Sequence, residues 1–196
     1  MRRRTFTALG AVTLVAAGCG GGTRQDANEP SGTFKVDVVS ASFPTKQRLA
    51  EQQQMVVEVR NTDNRTIPDI AVTVDPGFYK RDDRPDLADP NRPVWIIDAD
   101  PPGGVTAYTN TWALGPLRPG QSKRFVWKVT PVMAGSHDVH FRVAAGLNGK
   151  AKAQASSGNA PEGSFTVNVS AKPAQAYVDP KTGKVVETNK STAGGG

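Results

Sequence analysis

Hydrophobic and polar residues alternate with a period of two along six segments of the chain. In FKVDV, residues 34–38, the apolar Phe34, Val36 and Val38 are separated by Lys35 and Asp37. Because successive side chains of a strand point to opposite faces of a sheet, this pattern predicts strands with one buried face. The other five segments have the apolar sets Met55/Val57/Val59, Ile70/Val72/Val74, Phe125/Trp127/Val129, Val139/Phe141/Val143 and Phe165/Val167/Val169. We expect Trp127 to lie between two sheets, surrounded by Phe125, Val129, Phe141 and Val143.

Turn signals separate these segments. They are NTDNRTIPD at 61–69, RPG at 118–120 and NG at 148–149. After residue 18 no stretch combines an apolar repeat of helical spacing with helix caps, and the nearest, 41–54, is short. Many short strands at this spacing predict an all-β fold, an antiparallel β-sandwich. Roughly 140 residues are enough for one hydrophobic core.

The segment FRVAAGLNGKAKAQA, residues 141–155, is typical of a hairpin. A two-residue loop at 148–149 would place lysines on the apolar face, because opposed residues share a face. A three-residue loop at 147–149, closed by Gly149 in the left-handed region, places the following alanines inside instead, so we expect this form. Its outer face would be basic, and would be either a solvated surface or a contact for anionic headgroups or envelope polymer; its residues are His140, Arg142, Lys150 and Lys152.

The chain begins MRRRTFTALGAVTLVAAG, with three arginines, an apolar run and small residues, followed by Cys19, its single cysteine. This is the layout of an export signal, and the apolar run is too short to span a bilayer. The sequence Ala16-Ala17-Gly18-Cys19 resembles the lipobox of bacterial lipoproteins. The resemblance implies cleavage before Cys19, a diacylglyceryl thioether on its sulfur, acylation of the new amino terminus, and a location on the outer face of the bacterial cell membrane. An ordinary signal peptide is the alternative, and both the general secretory and twin-arginine routes remain open.

These features divide the chain into segments. Residues 1–18 are a lipoprotein signal peptide, 19–32 are a lipidated cysteine with a flexible Gly-rich tether, and 33–172 are the sandwich. Within the sandwich, 75–112 is longer than an ordinary connection and is predicted to be an insertion. The last segment, 173–196, contains a hairpin at 176–187 and a tail.

Two stretches resemble immunoglobulin-like modules of bacterial extracellular proteins, including the cell-adhesion-related type. MVVEVRNTDNRTIPDIAVTV, 55–74, is similar to their second and third strands, and LGPLRPGQSKRFVWKVTPVMAGSHDVHFRV, 114–143, to their next two. The resemblance implies an immunoglobulin-like β-sandwich. The chain departs from it in lacking a cysteine pair, and in having His137 where such modules often have a tyrosine.

The predicted insertion contains aromatic and acidic residues with two interpretations. The aromatics Trp95, Tyr108 and Trp112, with Tyr79, would form either a stacking platform for sugar or part of the core, and parity favours the core because Tyr108 and Trp112 would share a face. The acids Asp98 and Asp100 would either contact a ligand or be solvated turn residues, as would Asp75, Asp82, Asp83, Asp86 and Asp89. Their spacing lacks the glycine and terminal glutamate of an EF-hand, so no metal site is predicted.

Composition and motifs argue against enzymatic and nucleic-acid functions. The net charge of +6 falls to +3 when residues 1–18, with three arginines and no acid, are set aside, which is too mild for nucleic-acid binding. No G-x-S-x-G motif occurs, and His137 and His140, three apart on a strand, point to opposite faces. A histidine paired with a carboxylate across the sandwich is left open. We expect no catalytic residues, cofactor or metal. The favoured function is a structural or interaction module that contacts another envelope protein; the alternative is a binding module for a small ligand, ion or polymer through 75–112.

Overall fold

The computed structural model describes residues 26, 29–80, 93–173 and 175–187. In these residues the chain forms fourteen strands and no helix, so none is present that could cross a membrane. The strands are β1 (Gly32–Ser42), β2 (Lys46–Arg48), β3 (Gln53–Asn61), β4 (Ala71–Asp75), β5 (Tyr79–Lys80), β6 (Trp95–Ala99), β7 (Val105–Tyr108), β8 (Thr111–Ala113), β9 (Ser122–Pro131), β10 (Gly135–Ala144), β11 (Ala151–Gln154), β12 (Glu162–Ser170), β13 (Ala176–Val178) and β14 (Val185–Glu187).

Twelve of the described strands form two six-stranded sheets. The first sheet has the order β11-β1-β3-β9-β6-β5, and the second has the order β2-β12-β10-β4-β8-β7. Within them β1-β3-β9-β6 and β4-β10-β12 reproduce the four-strand and three-strand sheets of an immunoglobulin constant-type domain, in the same chain order. The predicted all-β, immunoglobulin-like antiparallel sandwich is therefore confirmed. The predicted hairpin at 176–187 is also present, as β13 paired with β14.

The alternating apolar residues form one core between the sheets. Met55, Val57 and Val59 are completely buried, as the period of two requires. Trp127 is completely buried too, and its ring stacks on that of Phe125 with 5.8 Å between centroids. The predicted strand faces and the predicted position of Trp127 are confirmed.

The described parts of the predicted insertion, residues 75–80 and 93–112, supply strands to both sheets of the sandwich. Strand β6 pairs with β9 in the first sheet, and β8 pairs with β4 in the second. Between the sheets the ring of Phe78 lies 6.1 Å from that of Trp95 and 6.4 Å from that of Trp112. Large aromatic side chains of this stretch therefore fill the core from both sheets, Trp95 from the first and Trp112 from the second. Residues 81–92 lie outside the described residues.

The predicted hairpin between β10 and the following strand is wrong. Strand β11 pairs in parallel with β1 in the first sheet, while β10 lies between β12 and β4 in the second. The parity was right, since Ala151 is buried and Gly149 has a φ of 81°. Both sheets face the same interior, so the inward-facing alanines of β11 are buried whichever sheet the strand joins. The nine-residue β12, with its buried Val167 and Val169, occupies the position beside β10 that the four-residue β11 was expected to fill.

Candidate functional site

The outer face of the second sheet brings together charges of both signs. On β10 the side chains of His140 and Arg142 point outward, opposite to the buried Phe141. In the register, His140 lies between Asp75 of β4 and Ser164 of β12, and Arg142 lies between Thr73 and Glu162. Directly opposed residues of neighbouring strands share a face and lie side by side. The sheet thus holds two rows of polar side chains across three strands.

These rows line a groove of about 610 Å³. One wall is the turn between β7 and β8, where Asn110 has a φ of 57°. A Cβ at Gly77 would lie 1.8 Å from Cγ of Asn110, so glycine at 77 leaves the space that the amide occupies. The hydroxyls of Thr73 and Thr111 lie 2.9 Å apart and connect this hairpin to β4. The groove therefore has a wall positioned by specific contacts.

The charges in this groove are held weakly. The Nε of Arg142 lies 3.6 Å from Oε2 of Glu162, and the two side chains are 75% and 54% exposed. An exposed ion pair of this kind contributes little to stability, so both groups can exchange their partner for a ligand group at small cost. The groove can accept a ligand that offers both an anionic and a cationic or hydrogen-bonding group.

The predicted basic ladder is wrong as a single surface. His140 and Arg142 lie beside Asp75 and Glu162 on the second sheet, whereas Lys150 precedes β11 and Lys152 lies on it, at the edge of the first sheet. The ladder depended on pairing β10 with β11, and that pairing does not form. Half of the predicted set thus belongs to the mixed-charge groove, and the two lysines lie elsewhere.

The predicted ligand-contact residues do not form one exposed site, although Trp112 contacts Asp100. Trp95 and Trp112 are buried, and their Nε1 atoms donate to Oε1 of Gln47 and Oδ1 of Asp100, each at 2.8 Å. The core interpretation is confirmed for both tryptophans, and a sugar platform built on them is wrong. Asp98, another residue of the set, lies on β6. Its carboxylate accepts hydrogen bonds from Oγ1 of Thr130 at 2.6 Å and from Nε2 of Gln52 at 3.1 Å.

Tyr108 does not share the buried face of Trp112 as predicted. Its side chain is 45% exposed, and a register irregularity between Thr106 and Tyr108 places it opposite Thr111. The parity argument assumed an uninterrupted strand, whereas a turn and a bulge separate the two residues. Among the described residues no three His, Cys, Asp or Glu side chains are grouped as metal ligands would be. Cys19, Asp82, Asp83, Asp86 and Asp89 lie outside the described residues.

The two histidines lie on opposite faces of β10, as predicted. The ring of His137 lies 5.8 Å from that of Trp95, edge to face, on the inner side of the sheet. His140 lines the outer groove. The two imidazoles therefore do not cooperate in one site.

A second feature is the attachment of the segment before β1 to the loop between β10 and β11. The carboxylate of Glu29 accepts hydrogen bonds from the backbone N–H groups of Leu147 at 2.6 Å, Asn148 at 2.9 Å and Ala151 at 2.8 Å. A Cβ at Gly146 would lie 1.9 Å from Oε1 of Glu29, so only glycine allows this approach. Hydrogen bonds to a charged acceptor are stronger than neutral ones. We call this arrangement the Glu29 clip.

Asp26 extends the same attachment. Its backbone carbonyl accepts from Nδ2 of Asn148 at 2.6 Å, and its Oδ2 accepts from the hydroxyl of Tyr108 at 3.0 Å. The prediction of a flexible tether through residues 19–32 is therefore wrong at Asp26 and Glu29. Composition indicated a coil, but the tether contains two acids whose backbone and hydroxyl donors become available only in the folded sandwich.

Sequence reasoning missed Glu162 and Asn110, and it missed Asp75 as a neighbour of His140. The alternation of β4 and β12 already places Asp75 and Glu162 opposite to buried valines and aromatics, which was a usable signal. The order of strands in the sheet was the absent information. Asn110 gives no comparable signal, because its position depends on the turn between β7 and β8.

No protein-family model matches the chain, and no curated protein matches it. Among solved structures, the CARDB domain of a Pyrococcus furiosus protein in complex with di-metal ions is 18% identical, with a TM-score of 0.43 over 73% of this chain and 94% of that one. Salmonella alpha-2-macroglobulin reacted with methylamine is 15% identical, with a TM-score of 0.40 over 72% of this chain and 7% of that one. Native alpha-2-macroglobulin from Escherichia coli is 10% identical, with a TM-score of 0.41 over 77% and 21%. At such identity the similarity concerns the fold alone, and the strand order described above is the basis for the conclusion that this chain is an immunoglobulin-like antiparallel β-sandwich.

Proposed function

We propose that this protein is a non-enzymatic, lipid-anchored module of the bacterial cell envelope that binds another envelope protein through the groove on its second sheet. The observation that carries the binding function is the groove of about 610 Å³, which presents His140 and Arg142 beside Asp75 and Glu162 on paired strands. Charges of both signs at fixed spacing favour a partner with a complementary arrangement over a uniformly charged polymer.

The binding function can be tested with two matched arginines. Arg142 lies in the groove, whereas Arg124 is exposed on β9 of the first sheet. A photoreactive residue at Ser164 should form a discrete adduct with one envelope protein in intact cells. We expect Arg142→Ala to reduce this adduct about 3- to 10-fold, equivalent to roughly 0.7–1.4 kcal/mol, while Arg124→Ala leaves it unchanged. Equal yields in both variants, or equal crosslinking from a photoreactive residue at Lys128 of β9, would show that the groove is not the binding surface.

The anchor rests on the sequence Ala16-Ala17-Gly18-Cys19. Two or three acyl chains on this cysteine would hold the protein at the membrane far more firmly than one chain does. We expect the mature amino-terminal peptide to begin at Cys19 and to carry acyl chains by mass spectrometry. Cys19→Ser should release the protein from the membrane fraction or leave the precursor uncleaved. An unmodified thiol on the mature chain would contradict the anchor and would leave the groove to be judged separately.

A further inference from the structure

The Glu29 clip determines which end of the sandwich is nearest to the start of the chain. β10 ends at Ala144 and β12 begins at Glu162 at the end where the clip lies, and β12 leaves that end toward Ser170. The C-terminal segment therefore departs from the opposite end. We call the clipped end, formed by loops 61–70, 114–121 and 145–150, the loop end.

The chain between Cys19 and Asp26, the first residue that the structure describes, is short. Seven residue steps separate Cys19 from Asp26, and seven residues span at most about 25 Å when fully extended. The ten residues of β10 have a length of about 33 Å, which separates the loop end from the opposite end. Of the two ends, an anchor at Cys19 therefore lies within reach of the loop end and not of the opposite end.

The acids of the loop end are turned inward onto backbone N–H groups. Asp63 accepts from the N–H groups of Lys35 at 3.0 Å and Arg65 at 3.1 Å, and hydrogen bonding by the Arg65 side chain lowers the pKa of Asp63 to about 2. Asp69 accepts from the N–H of Gly115 at 2.8 Å. Together with Glu29, these carboxylates are satisfied within the protein.

Three cations of the same end are exposed. They are Arg118 and Lys150, on the loops at 114–121 and 145–150, and Arg65, whose guanidinium is paired with Asp63. Lys123, by contrast, is turned inward: its Nζ donates to the carbonyls of Leu114 and Pro116, and burial lowers the pKa of its ammonium group. Glu162, at the start of β12, adds one exposed acid at this end. The net outward charge of these residues is positive, which complements a surface of anionic phospholipid headgroups.

We infer that the loop end faces the phospholipid headgroups of the membrane that holds the anchor, and that the Glu29 clip maintains this orientation. The inference rests on the proposed anchor at Cys19. The contacts of Glu29 and Asp26 attach the chain to the sandwich six residues before β1 begins at Gly32, which shortens the span to Cys19. The groove then lies on the side of an upright sandwich, and the C-terminal segment points away from the membrane.

The orientation can be measured on the full-length lipidated protein in vesicles of phosphatidylethanolamine and phosphatidylglycerol. An azide-bearing residue replaces either Lys150, at the loop end, or Ser136, at the start of β10 on the opposite end, and is coupled to a fluorophore. A nitroxide on the lipid headgroup then quenches the fluorophore at short range. We expect quenching several-fold stronger at position 150 than at position 136.

The clip is tested by two variants that disrupt it differently. Glu29→Ala removes the carboxylate, and Gly146→Ala places a Cβ where that carboxylate lies. Both should bring the quenching at the two positions close together, whereas the control Glu58→Ala, on β3, should keep the difference. Thermal unfolding monitors the fold of each variant, and the comparison of positions 150 and 136 in the unaltered protein decides the orientation even where a variant is unstable.

The outcomes separate the two proposals. A protein that does not float with the vesicles overturns both the anchor and the orientation. A protein that floats but is quenched equally at positions 150 and 136 retains the anchor and overturns the orientation. A difference that survives in Glu29→Ala and Gly146→Ala shows that the clip does not set the orientation.

Discussion

At the scale of single residues, the three tryptophans differ in the contacts of their indole N–H groups. Trp95 and Trp112 each donate to a side-chain oxygen at 2.8 Å. Within the described residues Nε1 of Trp127 has no hydrogen-bond partner, although its side chain is completely buried. Its ring packs among other aromatic rings, with that of Trp112 edge-to-face at 5.5 Å between centroids. Three equally buried tryptophans therefore contribute differently to stability.

This difference predicts the order of two Trp→Phe substitutions. Trp95→Phe leaves Oε1 of Gln47, a residue only 2% exposed, without its donor, whereas Trp127→Phe removes a donor that lacked an acceptor. Both lose ring volume, so the difference between them reports the hydrogen bond. We expect Trp95→Phe to lower the free energy of unfolding by about 1–3 kcal/mol more than Trp127→Phe, the cost of an unsatisfied buried polar group. Urea unfolding followed by circular dichroism measures both. Equal losses would indicate that Gln47 finds another donor.

At the scale of elements, the second sheet is ordered around the close packing of β10 on β12. Phe141 lies opposite Gly163 in the register, and its ring stacks on Phe165 at 5.8 Å between centroids. A Cβ at position 163 would lie 2.7 Å from Cε1 and Cζ of Phe141. The ring of Phe141 therefore occupies the space that a side chain at position 163 would need. This contact is specific to β12, because β11 has alanine and not glycine at its inward-facing positions and would leave no space for the ring of Phe141.

Gly163→Ala should therefore destabilise the protein. The added methyl forces the buried ring of Phe141 to shift, and overpacking of this kind costs about 1–3 kcal/mol. Asn168→Ala, at an exposed position of the same strand, serves as a control and should change stability by no more than about 0.5 kcal/mol. Chemical unfolding at neutral pH compares the two. A neutral Gly163→Ala would show that the ring has room to move and that this pair does not hold β10 against β12.

At the scale of the whole molecule, the sandwich has two different ends and one candidate binding face. Asp26 and Glu29 attach the start of the described chain to the loop end, and β12 ends at Ser170 at the other end. The groove lies on the outer face of the second sheet. The proposed anchor lies toward one end and the proposed binding groove on a side, so we expect substitutions to remove membrane attachment and partner binding independently.

The sequence by itself determined which side of each strand is buried. A period of two specifies a face without reference to any neighbour, so Trp127 and the apolar sets from Met55 to Val169 were placed correctly. Turn chemistry is equally local, and Gly149 has the left-handed φ that its sequence indicated. The lipobox resemblance at Cys19 is local as well, and stays a prediction.

Only the tertiary structure decided which strands are neighbours, and therefore which charges share a surface. The two sheets of a sandwich face one interior, so the same alternation fits a strand into either sheet. That freedom allowed β11 to leave β10 for β1, separated Lys150 and Lys152 from His140 and Arg142, and placed Glu162 in the groove. The Glu29 clip depends on the same choice, because the N–H groups of Leu147 and Ala151 converge on one carboxylate only when the chain crosses from one sheet to the other. Burial is a property of each residue and its immediate neighbours in sequence, whereas a binding surface is a property of strand order.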